Sequence, residues 1–247
     1  MTRKTLGCLI LAAGIVACDD DKKGDEASKV PPPPEQGGVL GAARFRYKCL
    51  LPSDAQCDFD KELGTGAGGS SSSLPTLATG SRFGLEIELN ASAGEGDAPA
   101  LTALHPTFAT VEADGVTLVR PGKTTIGLSR GADIVDMLDV EVKDPTGIKL
   151  FSGDPQGQFT DVKVGVGSVK ATVQFTFRFR AALADGDQVL AGSVPCKWTT
   201  SDAEIANITT EPEDNIVTVV TGTKQGTATI KVELGTFSTE IPLTVGG

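Results

Sequence analysis

From Val173 to Arg180 the chain alternates strictly, with Val173, Phe175, Phe177 and Phe179 on one parity and Gln174, Thr176, Arg178 and Arg180 on the other. Side chains on a strand point to opposite faces in turn, so this run reads as a core strand with three rings inward and a solvated polar face outward. A helix would scatter the rings around its axis. Shorter runs of the same kind follow one another from Leu74 onward, at 83–89, 107–112, 116–119, 124–128, 138–142, 189–194, 197–200, 216–220, 227–234 and 236–245. Turn formers separate them, as at Ala113-Asp114-Gly115, Pro121-Gly122 and Asp185-Gly186-Asp187. Many short strands at regular spacing predict an all-β chain of antiparallel sandwiches. The 30 glycines suit such turns, and a single His leaves imidazole chemistry poorly supplied. With 32 acidic against 22 basic residues, the charge of −10 argues against a nucleic-acid partner.

The first 17 residues have the layout of a cleavable export signal: Arg3 and Lys4, then an uncharged apolar run from Leu6 to Ala17. As a helix that run spans about 18 Å, short of the ~30 Å hydrocarbon core of a bilayer. At Ile15-Val16-Ala17-Cys18 the chain resembles the lipobox of bacterial lipoproteins. The resemblance implies cleavage before Cys18, acylation of its sulfur and new amino group, and durable membrane attachment. Cys8, Arg3 and Lys4 would leave with the signal, taking the charge from −10 to −12. Asp19, Asp20 and Asp21 resemble the inner-membrane retention signal of enterobacterial lipoproteins. Residues 18–38 are charged, contain Pro31 to Pro34 and hold few aliphatic side chains, which predicts a disordered tether. Such a tether places the folded part roughly 25 Å from the bilayer.

Of the remaining cysteines, Cys49 and Cys57 flank a short loop and are expected to form a disulfide in an oxidising compartment, the alternative being two separate buried thiols. Cys196 and Trp198 share one parity, so Cys196 reads as a small buried hydrophobe and Trp198 as a core residue. The sole His, His105, is distant in sequence from these thiols. No metal and no cofactor are expected.

Residues Trp198-Thr199-Thr200-Ser201-Asp202, then Val217-Thr218-Val219-Val220, then Gly226-Thr227-Ala228-Thr229-Ile230 resemble, in spacing and order, the bacterial immunoglobulin-like group 2 family. A weaker copy precedes it, through Ala109-Thr110-Val111, Val116 to Val119, Pro121 to Ile126 and 138–142, with Leu101 roughly where Trp198 would fall. The resemblance implies two tandem immunoglobulin-like β-sandwiches, at 39–145 and 146–247, with residues 40–73 adding an edge strand to the first.

Other motifs are set aside. Gly64-Thr65-Gly66-Ala67-Gly68-Gly69 fits a nucleotide fingerprint in letters only, because no helix follows it. Asp185 and Asp187 read as a hairpin turn and not as a calcium loop. Asn90 and Asn207 head glycosylation sequons that have no use in a bacterial export. No nucleophile motif accompanies His105, although a carboxylate pair for hydrolysis is not decided by sequence. The expected function is therefore an envelope-anchored, non-catalytic binding or adhesion module. Its ligand would be a protein or a polysaccharide, and one Trp and one Tyr favour the protein. A structural spacer or assembly part of an envelope complex is the alternative, and a hydrolase the third choice. A binder should show an exposed apolar patch at one end of a sandwich.

Overall fold

Alternating runs assemble into two double-sheet units built on one plan. The computed structural model describes residues 35–56, 74–153, 159–162, 169–209 and 214–246. The first unit contains β1 (Glu35–Gly37), β2 (Ala43–Lys48), β3 (Leu77–Ala78), β4 (Arg82–Leu89), β5 (Ala100–Ala103), β6 (Ala109–Glu112), β7 (Gly115–Leu118), β8 (Gly122–Arg130) and β9 (Asp133–Lys143). The second contains β10 (Gly147–Gly153), β11 (Phe159–Val162), β12 (Val169–Thr172), β13 (Thr176–Asp185), β14 (Gln188–Val189), β15 (Cys196–Thr200), β16 (Ala206–Ile208), β17 (Ile216–Thr221), β18 (Gly226–Leu234) and β19 (Phe237–Gly246).

In the first unit a sheet ordered β1-β2-β4-β7-β6 packs on one ordered β3-β9-β8-β5. In the second, β11-β10-β13-β17-β16, with β14 beside β13, packs on β12-β19-β18-β15. Apart from β14, which has no counterpart in the first unit, the two plans agree position by position. Each has its parallel pairing in the same corner, β3 with β9 and β12 with β19. Trp198 lies opposite Val232 and Leu101 opposite Leu128, so Leu101 occupies the place of Trp198 in the first copy. One strand differs in origin: the outermost position is filled by β1, ahead of β2 in the chain, but by β11, after β10.

The cores follow from period-two burial. On β9, Asp136, Leu138, Val140 and Val142 are buried while Asp139 and Glu141 are exposed; on β18, Ala228, Ile230, Val232 and Leu234 are buried. Trp198 sits in the second core, and its indole N–H donates to the Asp214 carbonyl at 2.9 Å, which removes the cost of burying that donor.

Several sequence expectations are corrected. Phe175 is 42% exposed, because Gln174 adopts φ 57 and turns the chain, so that β13 begins only at Thr176. Phe177 and Phe179 do enter the core, edge to face at 5.2 Å. Arg180, expected on a solvated face, is fully buried: the segment 49–56 covers it, and its Nη2 donates to the Ala55 carbonyl. The run 189–194 is strand only at Gln188–Val189 and then leaves the sheet to meet the first unit. Residues 35–37, assigned by sequence to the tether, form β1, and β2 is not an edge strand but lies between β1 and β4.

Candidate functional site

β9 leads through 144–146 into β10, so its Lys143 end faces the second sandwich and its Asp133 end points away from it. The turn between β1 and β2 lies at that free end, and its shape is dictated by one carboxylate. Asp136 is fully buried, and its Oδ1 accepts the N–H groups of Leu40 (2.8 Å) and Met137 (2.7 Å). Its Oδ2 accepts those of Ala42 (2.8 Å) and Ala43 (2.6 Å). Bonds from N–H to an ionised oxygen are stronger than neutral ones, and a buried carboxylate needs all four. Gly38 is required beside it, since a Cβ there would stand 2.1 Å from Asp136 Oδ2. Val39 N–H donates to the Met137 carbonyl at 2.8 Å. From the other side, Asn90 Nδ2 (3.2 Å) and Ser92 Oγ (3.1 Å) donate to the Gly41 carbonyl.

The turn is thus tied on both flanks, yet Val39 and Leu40 are each 56% exposed. Leu89, the last of the core-facing series Phe83, Leu85, Ile87 and Leu89 on β4, runs past the cover of the opposite sheet and is 41% exposed. It pairs with Ala43 at the foot of the same turn. Ile134, beside Asp133 on β9, is 46% exposed at the same end, so four large aliphatic side chains stand in solvent there.

At the opposite end, the segment 49–56 is wedged between the sandwiches. Asp54 is fully buried there. Its Oδ2 accepts Tyr47 Oη (2.6 Å) and Ser193 Oγ (3.2 Å), and its Oδ1 accepts Gln56 N–H (3.0 Å) and Gly192 N–H (3.2 Å). Burial pushes the Asp54 carboxyl above its ordinary value, and these four donors pull it part of the way back. Burial, reinforced by the Asp54 charge, lifts the Tyr47 phenol well above its ordinary value. The loop 190–194 completes the junction. Ser193 exchanges backbone bonds with Arg82 (3.0 and 2.7 Å), Ala191 bonds Ala78 and Thr76, and Ser193 Oγ accepts from Leu50 and Leu51. Gly192 has φ 114, and a Cβ there would overlap Ser81 Oγ.

The remaining sequence candidates are placed as follows. His105 borders an open cleft of about 460 Å³ on the outer face of β8 and β9, with Lys123, Asp139 and Glu141. Among the described residues its imidazole makes no hydrogen bond, so the nucleophile–base pairing of a triad is not built there. Asp185 and Asp187 flank the β13–β14 hairpin and lie 3.4 Å from Lys143 and 3.9 Å from Lys149. Cys196 is a buried free thiol, pushed up to about 12 by burial and then by the charge of Asp214, which makes it a poor nucleophile. Cys49 is half-buried just after β2. Cys18, Cys57 and the 64–69 glycine motif lie outside the described residues.

Neither a family model nor a curated protein matches the chain. Solved structures similar to it include domains 4 and 5 of the S-layer protein SbsC, at 18% identity and TM-score 0.33, covering 72% of this chain and 97% of that one. A β-glycosidase from Bacteroides vulgatus is similar at 12% identity and TM-score 0.30, over 70% of this chain and 24% of that one. The adhesin InvE of Yersinia pseudotuberculosis is similar at 12% and 0.30, over 70% and 56%. At these levels the likeness carries no argument about function.

Proposed function

We propose that this chain is an envelope lipoprotein whose sandwiches present a non-catalytic docking surface to a protein partner, with the Asp133 end of the first sandwich as the contact. One observation carries the docking role: Val39 and Leu40 are more than half exposed on a turn whose backbone is fixed by the buried Asp136. Exposed apolar clusters mark interaction sites, and a loop ordered beforehand loses little entropy on docking. Residues 38–42, 88–100 and 130–135 contain no aromatic ring, which leaves a polysaccharide without a stacking platform. The resemblance of Ile15 to Cys18 to a lipobox supports anchoring through an acylated Cys18, and an oxidising envelope suits a Cys49–Cys57 disulfide.

Anchoring is tested by Cys18→Ala, which should move the full chain from the membrane fraction to the soluble one; retention in the membrane contradicts the anchor. Docking is tested by the double variant Val39→Ser, Leu40→Ser. Chemical crosslinking of intact cells should give a discrete adduct with the native chain and none with the variant, at equal levels of folded protein. The locked junction around Asp54 favours a second reading, a rigid spacer, which would be indifferent to that double variant.

A further inference from the structure

We infer that the surface received by Val39, Leu40 and Leu89 is an apolar pocket of a protein rimmed by lysine or arginine; this rests on the docking role proposed above. Four exposed carboxylates, Glu88, Glu95, Asp97 and Asp133, lie at the same end as these aliphatic side chains. Their closeness follows from the strands: Glu88 precedes Leu89, Asp133 opens β9 opposite Arg130, and the loop holding Glu95 and Asp97 is bound to that same Arg130. None of the four has an ion-pair partner among the described residues. On the flank of the same sandwich some acids are paired, Glu35 and Glu86 with Arg46, and Glu112 and Asp114 with Arg82.

Two cations within reach are directed elsewhere. Arg130 spends its guanidinium on backbone carbonyls, Nε on Asp97 (2.7 Å) and Nη1 on Ala93 (3.1 Å) and Glu95 (3.3 Å). Arg44 stands opposite Glu88 in the β2–β4 register but turns to Glu35 at 3.4 Å. The result is an apolar centre with a rim of four carboxylates, none in an ion pair among the described residues, whose charge Arg130 offsets only in part. Charges of one sign within a Debye length of about 8 Å repel one another, and a complementary basic rim relieves this while steering encounter. The same sign disfavours an anionic bilayer and the matching end of a second copy.

The test places a photo-crosslinking side chain at Leu40 of the otherwise native full chain in intact cells. A discrete protein adduct is expected, and its site in the partner should be flanked by Lys or Arg. The fourfold variant Glu88→Lys, Glu95→Lys, Asp97→Lys, Asp133→Lys should lower its yield by about tenfold or more. The variant carrying Gln or Asn at the four positions should give an intermediate loss, which guards against misfolding of the reversed form. A protein adduct indifferent to both variants overturns the basic rim and leaves the docking role standing. Absence of any adduct at Leu40 removes the docking role itself. Adducts to phospholipid, or to a second copy of this chain, overturn the inference in favour of those occupants.

Discussion

Asp136→Ala is expected to destabilise the first sandwich by about 3 to 5 kcal/mol, because four backbone donors lose one acceptor and a buried donor without a partner costs about 1 to 3 kcal/mol. Not all four add fully, since water can reach the half-buried Leu40 and Met137 amides once the side chain is gone. In thermal unfolding this is a fall of roughly 10 °C. Asp136→Asn should lie between, for a carboxamide retains one acceptor oxygen and turns an NH₂ toward the other pair of donors. Gly38→Ala should mimic the loss from the opposite side, by displacing the carboxylate from its place. Hydrogen exchange gives the local readout: the amides of Leu40, Ala42 and Ala43 should lose protection while those of β18 keep it. A variant as stable as the native chain would mean that the turn does not depend on Asp136.

Asp54→Ala should cost a similar amount, about 3 to 5 kcal/mol, but at the junction. Tyr47 Oη is buried there, and without the carboxylate Gly192 N–H is left with the Tyr47 oxygen alone as an acceptor. The native chain should unfold in one transition, and the variant in two as the sandwiches uncouple. The pH dependence has a definite sign. Burial holds the folded carboxyl above its unfolded value, so the folded state retains a proton through the interval between the two. The stability this gives is complete below the ordinary carboxylate value and is lost as pH rises through the folded one. The lead of the native chain over Asp54→Asn should therefore shrink as pH rises across that interval. Tyr47 is the one tyrosine of the chain, which makes its absorbance a clean probe. In the native chain it should remain protonated well above its ordinary value, because burial and the Asp54 charge both oppose ionisation.

Period-two alternation made the all-β class and most of the longer strands legible, because the pattern that buries Leu138, Val140 and Val142 is written directly in residue order. The repeat was legible too, down to Leu101 standing in for Trp198. What escaped lies where local pattern and tertiary partner disagree. Arg180 continues the polar parity of its strand, and nothing nearby in sequence announces that residues 49–56 cover it. Phe175 continues the apolar parity, but Gln174 turns the backbone first. The docking end escaped for a different reason: the stretch Gly37-Gly38-Val39-Leu40-Gly41 looks like the end of a tether, and the carboxylate that fixes it comes almost a hundred residues later. Its one trace was the parity of Asp136, an acid in phase with Leu138 and Val140. The junction is similar, since Val189 to Val194 has strand composition and is instead recruited by Asp54 from across the chain.

The most direct measurement moves a photo-crosslinking side chain through the exposed apolar positions of the native chain in intact cells, one at a time. Val39, Leu40, Leu89 and Ile134 lie at the end of the proposed contact, whereas Leu51, Val119 and Phe175 are exposed elsewhere. The account predicts one protein adduct, shared by the first four positions and absent from the other three. Equal yields in both groups, or adducts confined to Leu51, Val119 or Phe175, would contradict it.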